Sequence, residues 1–261
     1  MPDSKQSLKV FDRIADSFAR YGITLRGYVR YQVTRRNLAP FLNSKSLKIL
    51  DIGGGNGTDA AWLVSMGHHV TIVETSREQC LFAERRFDFL LKADERALIT
   101  MFKGELSELS AKPGSYDVVL CHGVAMYQPN PREFIAEVVR WAKPGGVVSL
   151  LEKGYYGAEA RAVCESNFDQ LASLQATQTV TDSNGIQVHA FTPDALEVII
   201  EMTGASITQW SGVRVVSDSL IMQIADYDTP VLDTIIEAEY TQGKNPGIRS
   251  QGQMLHFIAR A

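Results

Sequence analysis

Cysteine is scarce: only Cys80, Cys121 and Cys164 occur in 261 residues, an odd number, widely separated. A disulfide framework is thereby excluded and no zinc-ligand spacing is offered, so each is expected as a small buried residue. Long apolar runs are missing too; none approaches the roughly 20 residues that cross a bilayer. The first thirty residues are studded with charge and lack the apolar core of a signal peptide, which makes a cytoplasmic address the expectation, with no membrane partner. His68, His69, His189 and His256 are scattered, and no metal site is expected from them. What is present is ordinary: 45 % apolar, 21 % charged and a formal net charge of −4 describe one soluble domain rather than a disordered chain, a collagen or a rod.

The charge is unevenly placed. Residues 1–48 hold ten Lys or Arg against three acids, whereas the remainder holds sixteen against twenty-seven. Such asymmetry marks either a nucleic-acid-binding arm or an amphipathic helical pair with a basic solvated face.

Apolar residues at Val10, Ile14 and Phe18, then at Val29, Val33 and Leu38, predict two helices broken at Tyr21-Gly22. From residue 47 strands and helices alternate. Leu47–Ile52, His69–Glu74, Leu98–Phe102, Tyr116–Cys121 and Val147–Leu151 read as strands, with helices over 58–66, 76–92 and 131–141. That rhythm predicts an α/β domain with a mostly parallel sheet, whose ligands bind beyond the carboxyl ends of the strands. Further on, helices are expected over 158–174, 192–203 and 217–241, and strands over 205–216 and 253–261. The segment 175–187 reads as a polar insertion over the sheet.

Asp51-Ile-Gly53-Gly54-Gly55-Asn-Gly57 follows the first strand, where glycines let a ligand approach the backbone. Gly55-x-Gly57-x-x-Ala60 formally fits a dinucleotide fingerprint, which would imply an NAD-dependent oxidoreductase with Glu74 on a ribose. Asp59, however, would oppose a pyrophosphate at the helix N-terminus. S-adenosylmethionine has no phosphate and carries a sulfonium cation, so Asp51 and Asp59 are tolerated there.

Together with Glu74, Tyr116-Asp117-Val118-Val119 and Lys143-Pro144-Gly145-Gly146, the loop resembles class I S-adenosylmethionine-dependent methyltransferases over residues 47–152. Phe11-Asp12-x-Ile14-Ala15, Tyr21-Gly22, Gly27-x-x-Arg30, Cys121-His122-x-Val124, Asn167-Phe168-Asp169 and Gly212-Val213-Arg214-Val215-x-x-Asp218 extend the resemblance to the tRNA carboxymethoxyuridine methyltransferases. It implies a Rossmann-like, seven-stranded doubly wound sheet with an N-terminal helical arm and helical lid insertions. One methyltransferase domain would cover 1–261: arm 1–43, cofactor-binding core 44–153, lid 154–190 and the C-terminal part of the sheet 191–261.

The resemblance further implies that Arg30 pairs with the carboxylate of the cofactor's methionine, a contact suited to a guanidinium. Gly53, Gly54 and Gly55 would form the loop, Asp51 would order it, Glu74 and Thr75 would meet the ribose and adenine edge, and Gly104 and Glu105 would frame the adenine. His122 falls beside the transfer centre, as a base or as a wall of the pocket. Tyr155, Tyr156, Arg214 and Asp218 are the candidate acceptor-side groups. Against a tRNA acceptor, residues 170–182 contain no Lys or Arg, and Ala125-Met126-Tyr127-Gln128-Pro129 departs from the family's pattern. The expected acceptor is therefore a small molecule or a peptide, at N or O, with the tRNA wobble uridine as the alternative.

Overall fold

A computed structural model of the chain describes residues 10–44, 46–219 and 227–261. The arm forms α1 (Ala15–Tyr21) and α2 (Leu25–Leu38), then β1 (Lys48–Ile52), α3 (Thr58–Ser65), β2 (His69–Glu74), α4 (Arg77–Leu90), α5 (Ala93–Arg96) and β3 (Ile99–Lys103) follow. Next come β4 (Tyr116–His122), α6 (Pro131–Arg140), β5 (Ala142–Lys153), α7 (Tyr155–Cys164) and α8 (Phe168–Thr177). The chain ends with β6 (Thr179–Thr181), β7 (Gln187–His189), α9 (Pro193–Glu201), β8 (Ser206–Val213), α10 (Thr229–Gln242) and β9 (Met254–Arg260).

Seven strands form one sheet in the order β3-β2-β1-β4-β5-β9-β8, with β9 antiparallel to both neighbours and the other adjacent pairs parallel. The five inner strands are buried on both faces, so alternate residues feed two cores. Leu50, Val119, Leu150 and Phe257 face α6 and α9, while Ile49, Leu120, Val147 and Ile258 face α3 and the end of α2. Strand order reverses between β1 and β4, and a crevice opens at their carboxyl ends there.

Local chemistry sets the helix starts. Thr24, Ser76 and Thr192 accept hydrogen bonds from the backbone N–H three residues on, and Pro131 and Pro193 occupy first turns.

Three expectations need correction. The helix over 158–174 is two helices, α7 and α8, because Ser166 takes a left-handed φ of 53° and Asn167 starts a new cap. The polar insertion contains a hairpin, β6–β7. Cys164, unlike Cys80 and Cys121, is exposed. The expected helix over 217–241 falls partly outside the described residues; its described part is a short turn at Ser217–Ser219, then α10.

Candidate active site

The first strand ends on a loop that can exist only with glycine. Gly53 has φ of +64° and donates to Val73 O at 2.8 Å, while a Cβ on Gly54 would stand 2.7 Å from both Asp51 Oδ2 and Ile72 Cγ2. Glu74, closing β2, draws the loop toward it: Gly55 N donates to its Oε2 (2.9 Å) and Ser76 N to its Oε1 (2.8 Å). Burial nevertheless raises the Glu74 pKa. Asp51 is 4 % exposed, and its Oδ2 has no hydrogen-bond partner among the described residues. Burial, reinforced by Asp59, pushes its pKa well up, so this oxygen calls for a donor from a ligand.

Asp59, in the first turn of α3, faces nitrogen groups on three sides. Arg35 Nε lies 3.2 Å from its Oδ1, and Arg30 Nη1 and His122 Nδ1 lie 3.8 and 3.6 Å from its Oδ2. Burial works against ionisation; His122 and the two guanidinium groups outweigh it and hold Asp59 below the usual carboxylate range. Arg30 itself is buried, with its guanidinium 4.4 Å from the Tyr31 ring centre. Asp51, Gly53, Gly54, Gly55, Glu74, Asp59, Arg30 and His122 line one cavity of about 1160 Å³.

The other end of that cavity is basic. Arg26, Lys153, Arg161 and Arg214 line it, and Asp218 collects all three arginines: Arg214 by a short pair, Arg26 at 3.6 Å and Arg161 at 3.9 Å. Lys153 Nζ donates to Gln253 Oε1 at 2.9 Å, and burial, then the charges of Arg214 and Arg161, bring its pKa down to about 7. Tyr127 closes one wall and donates to Asp182 Oδ2 at 2.9 Å. Its turn hangs from the fully buried Glu152, which accepts from Ala125 N and Met126 N and whose pKa burial pushes to about 8.

The arm roofs both ends. Asp12 Oδ1 accepts from Ser76 Oγ (2.7 Å) and Glu78 N (3.2 Å) at the loop end. Phe11 stands edge-on to Tyr127, and Ser17 Oγ donates to Asn184 Oδ1 (2.9 Å) in the β6–β7 turn.

The cavity thus gathers Arg30, Asp51, Gly53, Gly54, Gly55, Glu74, Thr75, His122 and Arg214, with Asp218 held behind Arg214. Two expected pairs are not brought to it. Gly104 and Glu105 lie outside its lining, since Glu105 N starts a tight turn by donating to the Glu108 carboxylate. Tyr155 and Tyr156 also lie outside: they stack edge-on to each other at 5.5 Å, with Tyr155 against the core of the lid and Tyr156 40 % exposed. The sequence reading missed Arg26, Arg161 and Lys153. Lys153 was findable, because it ends β5 on the same sheet edge that delivers His122.

Residues 50–150 match the profile of the methyltransferase domain. The tRNA 5-carboxymethoxyuridine methyltransferase of Escherichia coli (strain K12) is 26 % identical over 256 residues, covering 96 % of this chain and 95 % of that enzyme. The chain is a class I S-adenosylmethionine-dependent methyltransferase. A ubiquinone biosynthesis O-methyltransferase of Rickettsia typhi is 29 % identical over 153 residues, 56 % of this chain and 60 % of that one. Magnesium protoporphyrin IX methyltransferase from Synechocystis, solved with bound S-adenosylhomocysteine, shares the fold at a TM-score of 0.67 and 13 % identity over 99 % of both chains.

The residues of the methyltransferase suit that cofactor. Asp51 offers an unpartnered buried carboxylate oxygen to an ammonium group, Arg30 offers a guanidinium to a carboxylate, and Glu74 keeps lone pairs for hydroxyl donors. The ionised Asp59 beside the start of α3 disfavours a pyrophosphate, hence NAD. Bound there, S-adenosylmethionine supplies an electrophilic methyl group on sulfonium; the protein's task is in-line placement and exclusion of water.

Proposed function

We propose that this cytoplasmic methyltransferase places the methyl group on a carboxylate oxygen of its acceptor. The observation that carries the reading is the quartet Arg26, Lys153, Arg161 and Arg214 at the cavity end away from the glycine loop, four cations paired there, among the described residues, with two carboxylates, Asp218 and the Glu165 that holds Arg161 at 2.8 Å. Such a surplus of positive charge holds an anion and repels a cationic peptide end. A carboxylate is also an acceptor without a proton to lose, so no general base is required.

A small carboxylate-bearing molecule fits the lid, because α8 and β6 carry no Lys or Arg to meet a phosphate backbone. The wobble uridine of tRNA is the second reading, favoured by the near full-length similarity to an enzyme of that name.

The deciding experiment incubates the protein with methyl-labelled cofactor and either wobble-modified tRNA or a metabolite extract, then treats the products with mild alkali. A methyl ester is released by alkali, and this is the expected result. An alkali-stable label, as an N-methyl or ether product would give, refutes the carboxylate reading. Steep salt dependence of acceptor binding would assign the acceptor to tRNA.

Lys153 predicts a pH dependence. Its ammonium is charged below about 7 and neutral above. The acceptor KM therefore rises from pH 7 toward pH 9, by up to about tenfold per unit while the complex retains the proton. Meanwhile kcat stays level. Lys153→Met raises KM at pH 6.5 and flattens this dependence; steady-state kinetics across pH checks both.

A further inference from the structure

His122 is not an isolated imidazole. Its Nε2 lies 2.8 Å from Ser149 Oγ, which lies 2.8 Å from His256 Nε2. His256 Nδ1 meets Asn37 Nδ2 at 3.3 Å, and the same amide nitrogen donates to Ser211 Oγ at 2.8 Å. Ser149, His256, Asn37 and Ser211 are each at most 4 % exposed. The chain crosses four adjacent strands, β4, β5, β9 and β8, and ends on α2. Register puts its strand residues on one face: His122 and His256 both pair with Leu151, two residues from Ser149, and His256 pairs with Ser211.

Each end of this ladder has a fixed sense. An amide NH₂ is only a donor, so with Asn37 Nδ2 turned to His256 and its Oδ1 left without a partner among the described residues, His256 Nδ1 accepts and the proton of His256 stays on Nε2, aimed at Ser149. The Ser149 hydroxyl must then donate onward to His122 Nε2. The remaining proton of His122 sits on Nδ1, which faces the ionised Asp59. From the opposite end Asp59 demands the same orientation, because a bare Nδ1 would set a lone pair against a carboxylate.

We infer that Ser149 and His256 are positioning residues that lock His122 as the neutral, Nδ1-protonated imidazole, a hydrogen-bond donor in the cavity wall rather than a base. The relevance to catalysis rests on the reading that His122 borders the transfer centre; the tautomer itself does not. Protonating His122 would put hydrogens on both imidazoles facing Ser149 Oγ and leave the serine hydroxyl proton without its acceptor. The charged neighbours act accordingly: burial and Arg30 disfavour a cation at His122 and His256, and Asp59 alone pulls the other way.

The test is nitrogen-15 NMR of the imidazoles in the full chain without ligands, with the His122 signals assigned by their loss in His122→Asn. The wild type should show Nδ1 protonated and Nε2 bare at pH 7. In Ser149→Ala, His122 should exchange between tautomers and titrate at least one pH unit higher, with a matching new step in the pH profile of kcat. A wild-type His122 that carries its proton on Nε2, or is cationic at pH 7, overturns the inference even if Ser149→Ala does not fold. Because no acceptor is present, that result leaves the carboxylate reading untouched.

Discussion

Arg30→Ala weakens binding of S-adenosylhomocysteine by about a hundredfold, or ~3 kcal/mol, in the range seen when one partner of a buried charge pair is truncated. Arg30 is 9 % exposed, lines the cavity beside the glycine loop and lies 3.8 Å from Asp59. Its guanidinium is fixed between Asp59 and the Tyr31 ring before any ligand arrives, so little ordering entropy is lost on binding. Fold loss does not confound the measurement, since Asp59 keeps Arg35 at 3.2 Å and the facing His122. Arg30→Lys restores the charge without the planar fork and falls between the two. Titration calorimetry checks this; a change of less than threefold in Arg30→Ala would remove Arg30 from the cofactor site.

Glu239→Ala lowers stability by about 3–5 kcal/mol, the scale of a buried charged acceptor lost from several donors. Glu239, on α10, is fully buried and accepts from Val215 N (2.9 Å), Val216 N (2.8 Å) and Ser217 N. These amides belong to the turn that carries Arg214, itself in a left-handed conformation with φ of 60°, and leads to Asp218. A non-glycine residue holds such a φ only where its surroundings over-determine it. Removing Glu239 should therefore lower the melting temperature by about 10 °C and raise the acceptor KM more than tenfold. Affinity for S-adenosylhomocysteine should stay within twofold. Thermal unfolding and kinetics on one preparation separate the effects; an unchanged acceptor KM would show that this turn does not set the acceptor end.

The basic arm illustrates how far composition reaches. Its surplus of Lys and Arg was visible, with an RNA-binding face or a solvated helix as the two readings. The structure turns much of it inward, Arg26 to Asp218 and Arg30 and Arg35 to Asp59, while Arg36 meets Glu237 at the surface. Charge counted along a chain carries no direction, and direction decides whether an arginine meets solvent, a carboxylate or a ligand. Tyr155 and Tyr156 failed for the same reason. Their position after β5 was right, but the first turn of α7 points them into the lid and outward.

By itself the sequence determined the five parallel strands, the glycine loop with Asp51 and Glu74 at its edges, and the family, because each is a local pattern. Burial on both faces demands an unbroken apolar run, and close approach of a ligand demands glycine. Only the tertiary structure decided what lies at long range. It brought Arg26, Lys153, Arg161 and Arg214 together at the cavity end away from the glycine loop, and it joined Asn37, His122, Ser149, Ser211 and His256 into one hydrogen-bonded line. Those residues come from separate elements and share no spacing in the chain. What aligns them is strand order and register, a property of the sheet as a whole.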